Sequence, residues 1–149
     1  MAKQIKFLIY FFENEDGHRH TKKFKKGYKH CGVISYDPSS KHWILIEYIF
    51  GQLLVETITD QTAEAFFRMI RMKNGVVLQG EMPQKKTGFP SFMGSWIKEH
   101  SCVSYVQRLI GYNKWWIFTP YQLYCACLLY TSDAADDSLR VDLGGRRII

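Results

Sequence analysis

The stretch Ser101-Cys102-Val103-Ser104-Tyr105-Val106-Gln107-Arg108-Leu109-Ile110-Gly111 puts a cysteine where a helix should begin. Ser101 has the hydroxyl of a good N-cap, Val103, Val106, Leu109 and Ile110 recur at helical spacing, and Gly111 supplies the stop. Cys102 is then the first helical residue, next to unpaired N–H groups and the positive end of the helix dipole. Both favour thiolate over thiol, and a thiolate attacks carbonyl carbon. The plain alternative is a small apolar side chain in the core.

A nucleophile of this kind needs a base, and the histidines are His18, His20, His30, His42 and His100. The run Lys29-His30-Cys31-Gly32-Val33-Ile34-Ser35-Tyr36-Asp37 and the run His42-Trp43-Ile44-Leu45-Ile46-Glu47-Tyr48-Ile49-Phe50 flank Pro38-Ser39-Ser40-Lys41. They read as two strands of a hairpin. With 38–41 as the turn, Asp37 faces His42, and Gly32 falls opposite Glu47. One face then carries His30, Gly32, Ile34, Tyr36, Trp43, Leu45 and Glu47, and the other Cys31, Val33, Ile44, Ile46 and Tyr48. Glu47 becomes a diagonal cross-strand neighbour of His30, within reach of its ring. Gly32 between them leaves room for another element, here expected to be the cysteine helix. Cys31 points away from His30 and reads as buried filler. His100 lies just before the cap and would have to fold back to reach Cys102.

The remaining elements follow from pattern. Residues 6–12 are Phe-, Ile- and Tyr-rich and read as a first strand, and Glu13-Asn14-Glu15-Asp16-Gly17 breaks it. Residues 52–58 add a strand, and Thr59 or Asp60 caps a helix to about Met72, with Ala63, Phe66, Phe67, Met69 and Ile70 on its apolar side. A short strand is expected at 76–78, a loop at 80–94 with Pro83 and Pro90, and another strand at 114–118. Thr119-Pro120 opens a last helix. The cysteine helix is expected to set Val106 and Leu109 against Ile34, Leu45 or Trp43.

From Cys127 the chain reads Cys-Leu-Leu-Tyr-Thr-Ser-Asp-Ala-Ala-Asp, which matches one reading frame of a transposon-type sequencing adapter. Residues 141–149 match the flow-cell end of the same adapter. The expectation is a truncated domain over 1–126 and a non-native tail over 127–149 that packs poorly, apart from an accidental extension of the last helix. The 149 residues carry a net charge of +6, and the tail contributes three basic and four acidic residues to it. Without the tail three cysteines remain, Cys31, Cys102 and Cys125, an odd and sparse set that argues against a disulfide framework. The apolar run at 7–12 is too short to span a bilayer and no cleavage-like site follows it. A cytoplasmic location is expected.

Lys22, Lys23, Lys25, Lys26 and Lys29 concentrate positive charge over 22–29. A solvated loop explains them, while phosphate contacts with nucleic acid or an anionic surface are the alternative. His18, His20, His30 and Cys31 offer a nominal zinc set, but their spacing fits no closed zinc module.

His30-Cys31-Gly32-Val33 opening a hairpin, an acidic residue on the return strand and a later Ser-Cys helix resemble the permuted, papain-like NlpC-type thiol hydrolases. That superfamily includes the lecithin:retinol acyltransferase-like enzymes. The resemblance covers about residues 28–124, in the histidine-before-cysteine order of the permuted members. It implies an α+β domain whose nucleophile-bearing helix packs on a small antiparallel sheet. It further implies Cys102 as nucleophile, His30 as base and an orienting third residue. Glu47 is the candidate for that third place, which stays open because the strand around it is unusually apolar. No metal or organic cofactor is implied. The substrates implied are amides, esters or thioesters: cell-wall stem peptides, isopeptide links or acyl lipids. The rival from another class is a non-catalytic binding module of the same fold that uses the basic segment.

Overall fold

A computed structural model describes residues 6–13, 23–81, 101–112 and 114–132. The element order is β1 (Lys6–Phe12), β2 (His30–Asp37), β3 (His42–Ile49), β4 (Gln52–Ile58), α1 (Asp60–Met72), β5 (Val76–Glu81), α2 (Cys102–Leu109) and α3 (Pro120–Ser132). The five strands form one antiparallel sheet in the order β4-β3-β2-β1-β5. The fold is α+β, as the sequence implied.

β1 is the clearest case of sequence dictating position. Phe7 through Phe12 are all buried, so the strand is apolar on both faces, as a strand with partners on both sides and layers above and below must be. It pairs with β2 through Tyr10↔Gly32, Phe11↔Cys31 and Phe12↔His30, and with β5 on its other side. The face carrying Leu8, Tyr10, Phe12, Ile34, Leu45 and Val77 packs against Ala63, Phe67 and Ile70 of α1. The opposite face carries Phe7, Ile9, Phe11, Cys31, Val33 and Leu78 and packs against Val103 and Val106 of α2 and Leu123 and Cys127 of α3.

This layering corrects one expectation. Val106 and the cysteine helix pack on the Cys31 and Val33 face, whereas Ile34, Leu45 and Trp43 lie under α1. Strand alternation puts Val33 and Ile34 on opposite faces, and one helix cannot contact both.

The hairpin turns are local chemistry. The Asp37 carboxylate accepts from the backbone N–H of Ser39 and Ser40 and from the Ser40 hydroxyl, and Lys41 takes a positive φ of 58°. Phe50 and Gly51, at φ 50° and 78°, make the two-residue turn between β3 and β4, the left-handed pair that matches strand twist. The Thr59 side chain accepts from the N–H of Thr62 and starts α1.

Three further expectations change. β5 is longer than 76–78. Residues 114–118 are a turn and not a strand, because fully buried Gln107 holds them: its Nε2 donates to Ile117 O at 3.0 Å and its Oε1 accepts from Lys114 N at 2.9 Å. The tail does not begin where packing ends: α3 runs to Ser132, the extension the sequence allowed, but Cys127 is buried in the core. Residues 133–149, the loop at 82–94, and His18, His20, Lys22 and His100 lie outside the described residues. Of the basic segment, Lys23, Lys25 and Lys26 are exposed, Lys25 lies 3.7 Å over the Tyr121 ring, and Lys29 pairs with Glu13. Among the described residues no helix is long and apolar enough to cross a membrane.

Candidate active site

α2 starts where the sequence says it should. The Ser101 side chain accepts from Ser104 N at 3.2 Å, and the Ser104 hydroxyl accepts from Ser101 N at 3.0 Å, a reciprocal capping box. Cys102 is the first residue of the helix. By helix geometry the N–H groups of Cys102 and Val103 have no intrahelical acceptor, and they sit at the positive end of the dipole.

The β2–β3 ladder runs from Asp37↔His42 to Val33↔Ile46 and stops there. The observed pairs follow the expected register, but the last three residues at the start of β2 leave their edge to something other than β3. α2 packs beside this stretch, with Cys102 against the cluster that holds Cys31. The Cys102 sulfur lies within interaction range of the Cys31 thiol, the Cys31 backbone N–H and the His30 imidazole.

His30 is buried, and its Nε2 lies 3.5 Å from Glu47 Oε1. That is an ion-pair contact; Nε2 makes no hydrogen bond of good geometry. With Nε2 turned to the carboxylate, Nδ1 is the ring nitrogen left for the thiol. Phe12 packs edge-on against the imidazole, with ring centroids 5.5 Å apart.

Glu47 has a second partner that sequence reasoning missed. The Tyr10 hydroxyl donates to the same Oε1 atom. Tyr10 is fully buried and sits opposite Gly32 in the β1–β2 register. A Cβ on Gly32 would lie 2.1 Å from the Tyr10 hydroxyl oxygen. Gly32 therefore makes room for the phenol on its way to Glu47, and not for the helix as expected.

The charges follow from these contacts. For Cys102 the hydrogen bond from the Cys31 thiol is the largest influence; burial opposes it, and the His30 hydrogen bond and charge add to it, so the thiol is held well below its ordinary value. Burial disfavours the charged form of His30, but the Cys102 and Glu47 contacts outweigh it and raise His30 from 6.5 to about 9. Burial likewise opposes charge on Glu47, and the His30 and Tyr10 contacts still hold it below the usual carboxylate value. Burial and then Glu47 push Tyr10 well above 10.0, so it remains a donor. Cys31 is driven up by burial and by its bond to Cys102, and stays a thiol. These directions favour a thiolate–imidazolium pair with a carboxylate behind the ring.

The structure thus brings Cys102, His30 and Glu47 together and adds Tyr10 and Cys31. His42 is elsewhere, with its Nδ1 2.6 Å from Ser40 O in the β2–β3 turn. No family model matches this chain, and neither a curated protein nor a solved structure matches it.

Proposed function

We propose that this chain is a thiol hydrolase or acyl transferase acting on an amide, ester or thioester. The observation that carries the reading is the buried His30 ring, whose Nε2 faces Glu47 at 3.5 Å and which interacts with Cys102 at the first position of α2. A cysteine, a base within hydrogen-bond reach and a third group orienting that base are the parts that covalent acyl chemistry requires.

In this reading the Cys102 thiolate attacks the carbonyl carbon and the carbonyl oxygen becomes an oxyanion. The N–H groups of Cys102 and Val103 stabilise that charge. The bond to the leaving amine, alcohol or thiol then breaks, the leaving atom takes the proton from the His30 imidazolium, and a thioester acyl-enzyme remains. His30, now neutral, removes a proton from water or an acceptor nucleophile, which attacks the thioester and releases the Cys102 thiolate. Glu47 keeps the ring oriented and stabilises its charged form. Peptide, isopeptide and acyl-lipid carbonyls all suit this chemistry.

The test uses p-nitrophenyl acetate as acyl donor, with peptide-resolved mass spectrometry as the readout. An acetyl adduct on Cys102, a burst of p-nitrophenol, loss of both in Cys102→Ala and a fall of at least about 100-fold in burst rate in His30→Ala are expected. Iodoacetamide should also label Cys102 near neutral pH ahead of Cys31 and Cys125. Equal labelling of the three, with no adduct, overturns the proposal and favours a binding module.

A further inference from the structure

Acyl transfer through Cys102 and His30 gives no task to Cys31, although its thiol lies against the nucleophile. Cys31 has zero exposure and belongs to the core face on which α2 rests, with Cys102 packed against it. Its side chain points to the α2 face, and its backbone N–H points to the strand edge that β3 leaves open below Val33↔Ile46. Both reach the same sulfur.

We infer that Cys31 is a positioning residue: its thiol and backbone N–H together hold the Cys102 sulfur as a thiolate in front of His30. The inference rests on the thiol-hydrolase reading of Cys102 and assigns that site a residue the reading does not need. A buried thiol is a weak donor in water but a useful one here, since no water competes for it and its acceptor is charged. The proton is placed on Cys31, because the imidazolium and the helix N-terminus favour charge on Cys102. The titratable groups around the pair are consistent with that division. Tyr10 from β1 stays neutral, His30 from β2 is positive, and Glu47 from β3 spends its charge on His30 and Tyr10. Cys127 from α3 is held as a thiol at about 12 by burial.

The experiment measures the pH dependence of iodoacetamide alkylation at Cys102, resolved by peptide, in the wild-type chain, Cys31→Ala and Cys31→Ser. Below the midpoint the rate follows the thiolate fraction, so one pH unit is a tenfold change. Cys31→Ala should raise the Cys102 midpoint by about one unit, with about tenfold slower labelling on the acid side. Cys31→Ser, which keeps a donor, should restore most of that loss. An unchanged midpoint in Cys31→Ala overturns the inference, as does a shift in Cys31→Ser as large as that in Cys31→Ala. Should Cys31→Ala not fold, the wild-type chain still decides through the 13C shifts of Cβ-labelled cysteine. Cys102 must then titrate at low pH while Cys31 stays a thiol beyond it, and joint titration overturns the inference. A wild-type Cys102 with an ordinary thiol midpoint would instead remove the hydrolase reading itself, so the two failures are distinct.

Discussion

Replacing Gly32 by alanine puts one methyl group where Tyr10 already stands. The new Cβ would lie 2.1 Å from the Tyr10 hydroxyl oxygen, 2.4 Å from its Cζ and 3.1 Å from the Ile46 carbonyl oxygen. The phenol cannot swing aside freely, because its ring is buried between strands and packs edge-on against Phe66 at 5.0 Å. Forced overpacking costs about 1–3 kcal/mol. Displacing the hydroxyl from Glu47 removes a hydrogen bond to a charged group, worth about 1.5–3 kcal/mol. Alanine returns about 0.4–1 kcal/mol by restricting the unfolded chain. The net loss is about 2–5 kcal/mol, or about 6–20 °C in Tm for a chain of this length. Urea and thermal unfolding of Gly32→Ala, Tyr10→Phe and the double variant measure it. In the Tyr10→Phe background the Glu47 bond is already gone, so Gly32→Ala should cost about 1.5–3 kcal/mol less there. A loss within about 0.5 kcal/mol of zero, or the same loss in both backgrounds, would refute the assignment of Gly32 to the Tyr10–Glu47 contact.

pH should reveal the ion pair through stability. Alone, His30 raised from 6.5 to about 9 would make stability fall as pH rises through that interval; Cys102, lowered from 9.0, would make it rise there. Between about 6.5 and 9 the folded pair holds one proton on His30 and the unfolded chain one on Cys102, so the urea midpoint, corrected by the Cys102→Ala/His30→Ala variant, should be flat. Below about 6.5 the unfolded imidazole gains a second proton and the midpoint should drop until Cys102 protonates; a steady fall across 6.5–9 would mean a neutral thiol. Gln107→Leu leaves Ile117 O and Lys114 N without their partner and should cost about 2–5 kcal/mol in denaturant unfolding. A chain ending at Ser132 should match the full chain in Tm, whereas one ending at Ala126 loses buried Cys127 and the last turns of α3 and should melt several degrees lower. Equal melting of the two would show that Cys127 packs without consequence.

What could be read from the sequence was whatever a short span determines. Ser101 and Ser104 form the capping box within four residues, Asp37 closes its own turn, and the turn fixes the β2–β3 register that brings Glu47 to His30. Tyr10 could not be placed this way. It reaches Glu47 through the β1–β2 pairing, and residues 13–29 separate those strands by too long a stretch for turn chemistry to set the register. The aromatic run 114–118 has strand-like composition, but among the described residues the sheet ends at β4 and β5, and Gln107 supplies hydrogen bonds that a neighbouring strand would have given. β propensity describes a fit to a half-buried pleated surface and yields when a buried side chain offers the backbone other partners.

The meeting of His30 and Cys31 at one atom follows from where the ladder ends. Inside a sheet, alternation separates neighbouring side chains by the thickness of the strand, and no single atom above one face can bond both. At an edge the rule weakens, because an atom in the plane of the sheet is reached from above, from below and by the backbone. β3 parts from β2 after Val33↔Ile46, and Cys102 at the start of α2 interacts with both residues at that end of β2. The imidazole then arrives from the α1 side, the Cys31 thiol from the α2 side, and the Cys31 N–H between them. A nucleophile over the middle of the sheet would have met one of these groups; at the open edge it meets all three, and that position is what sets its charge.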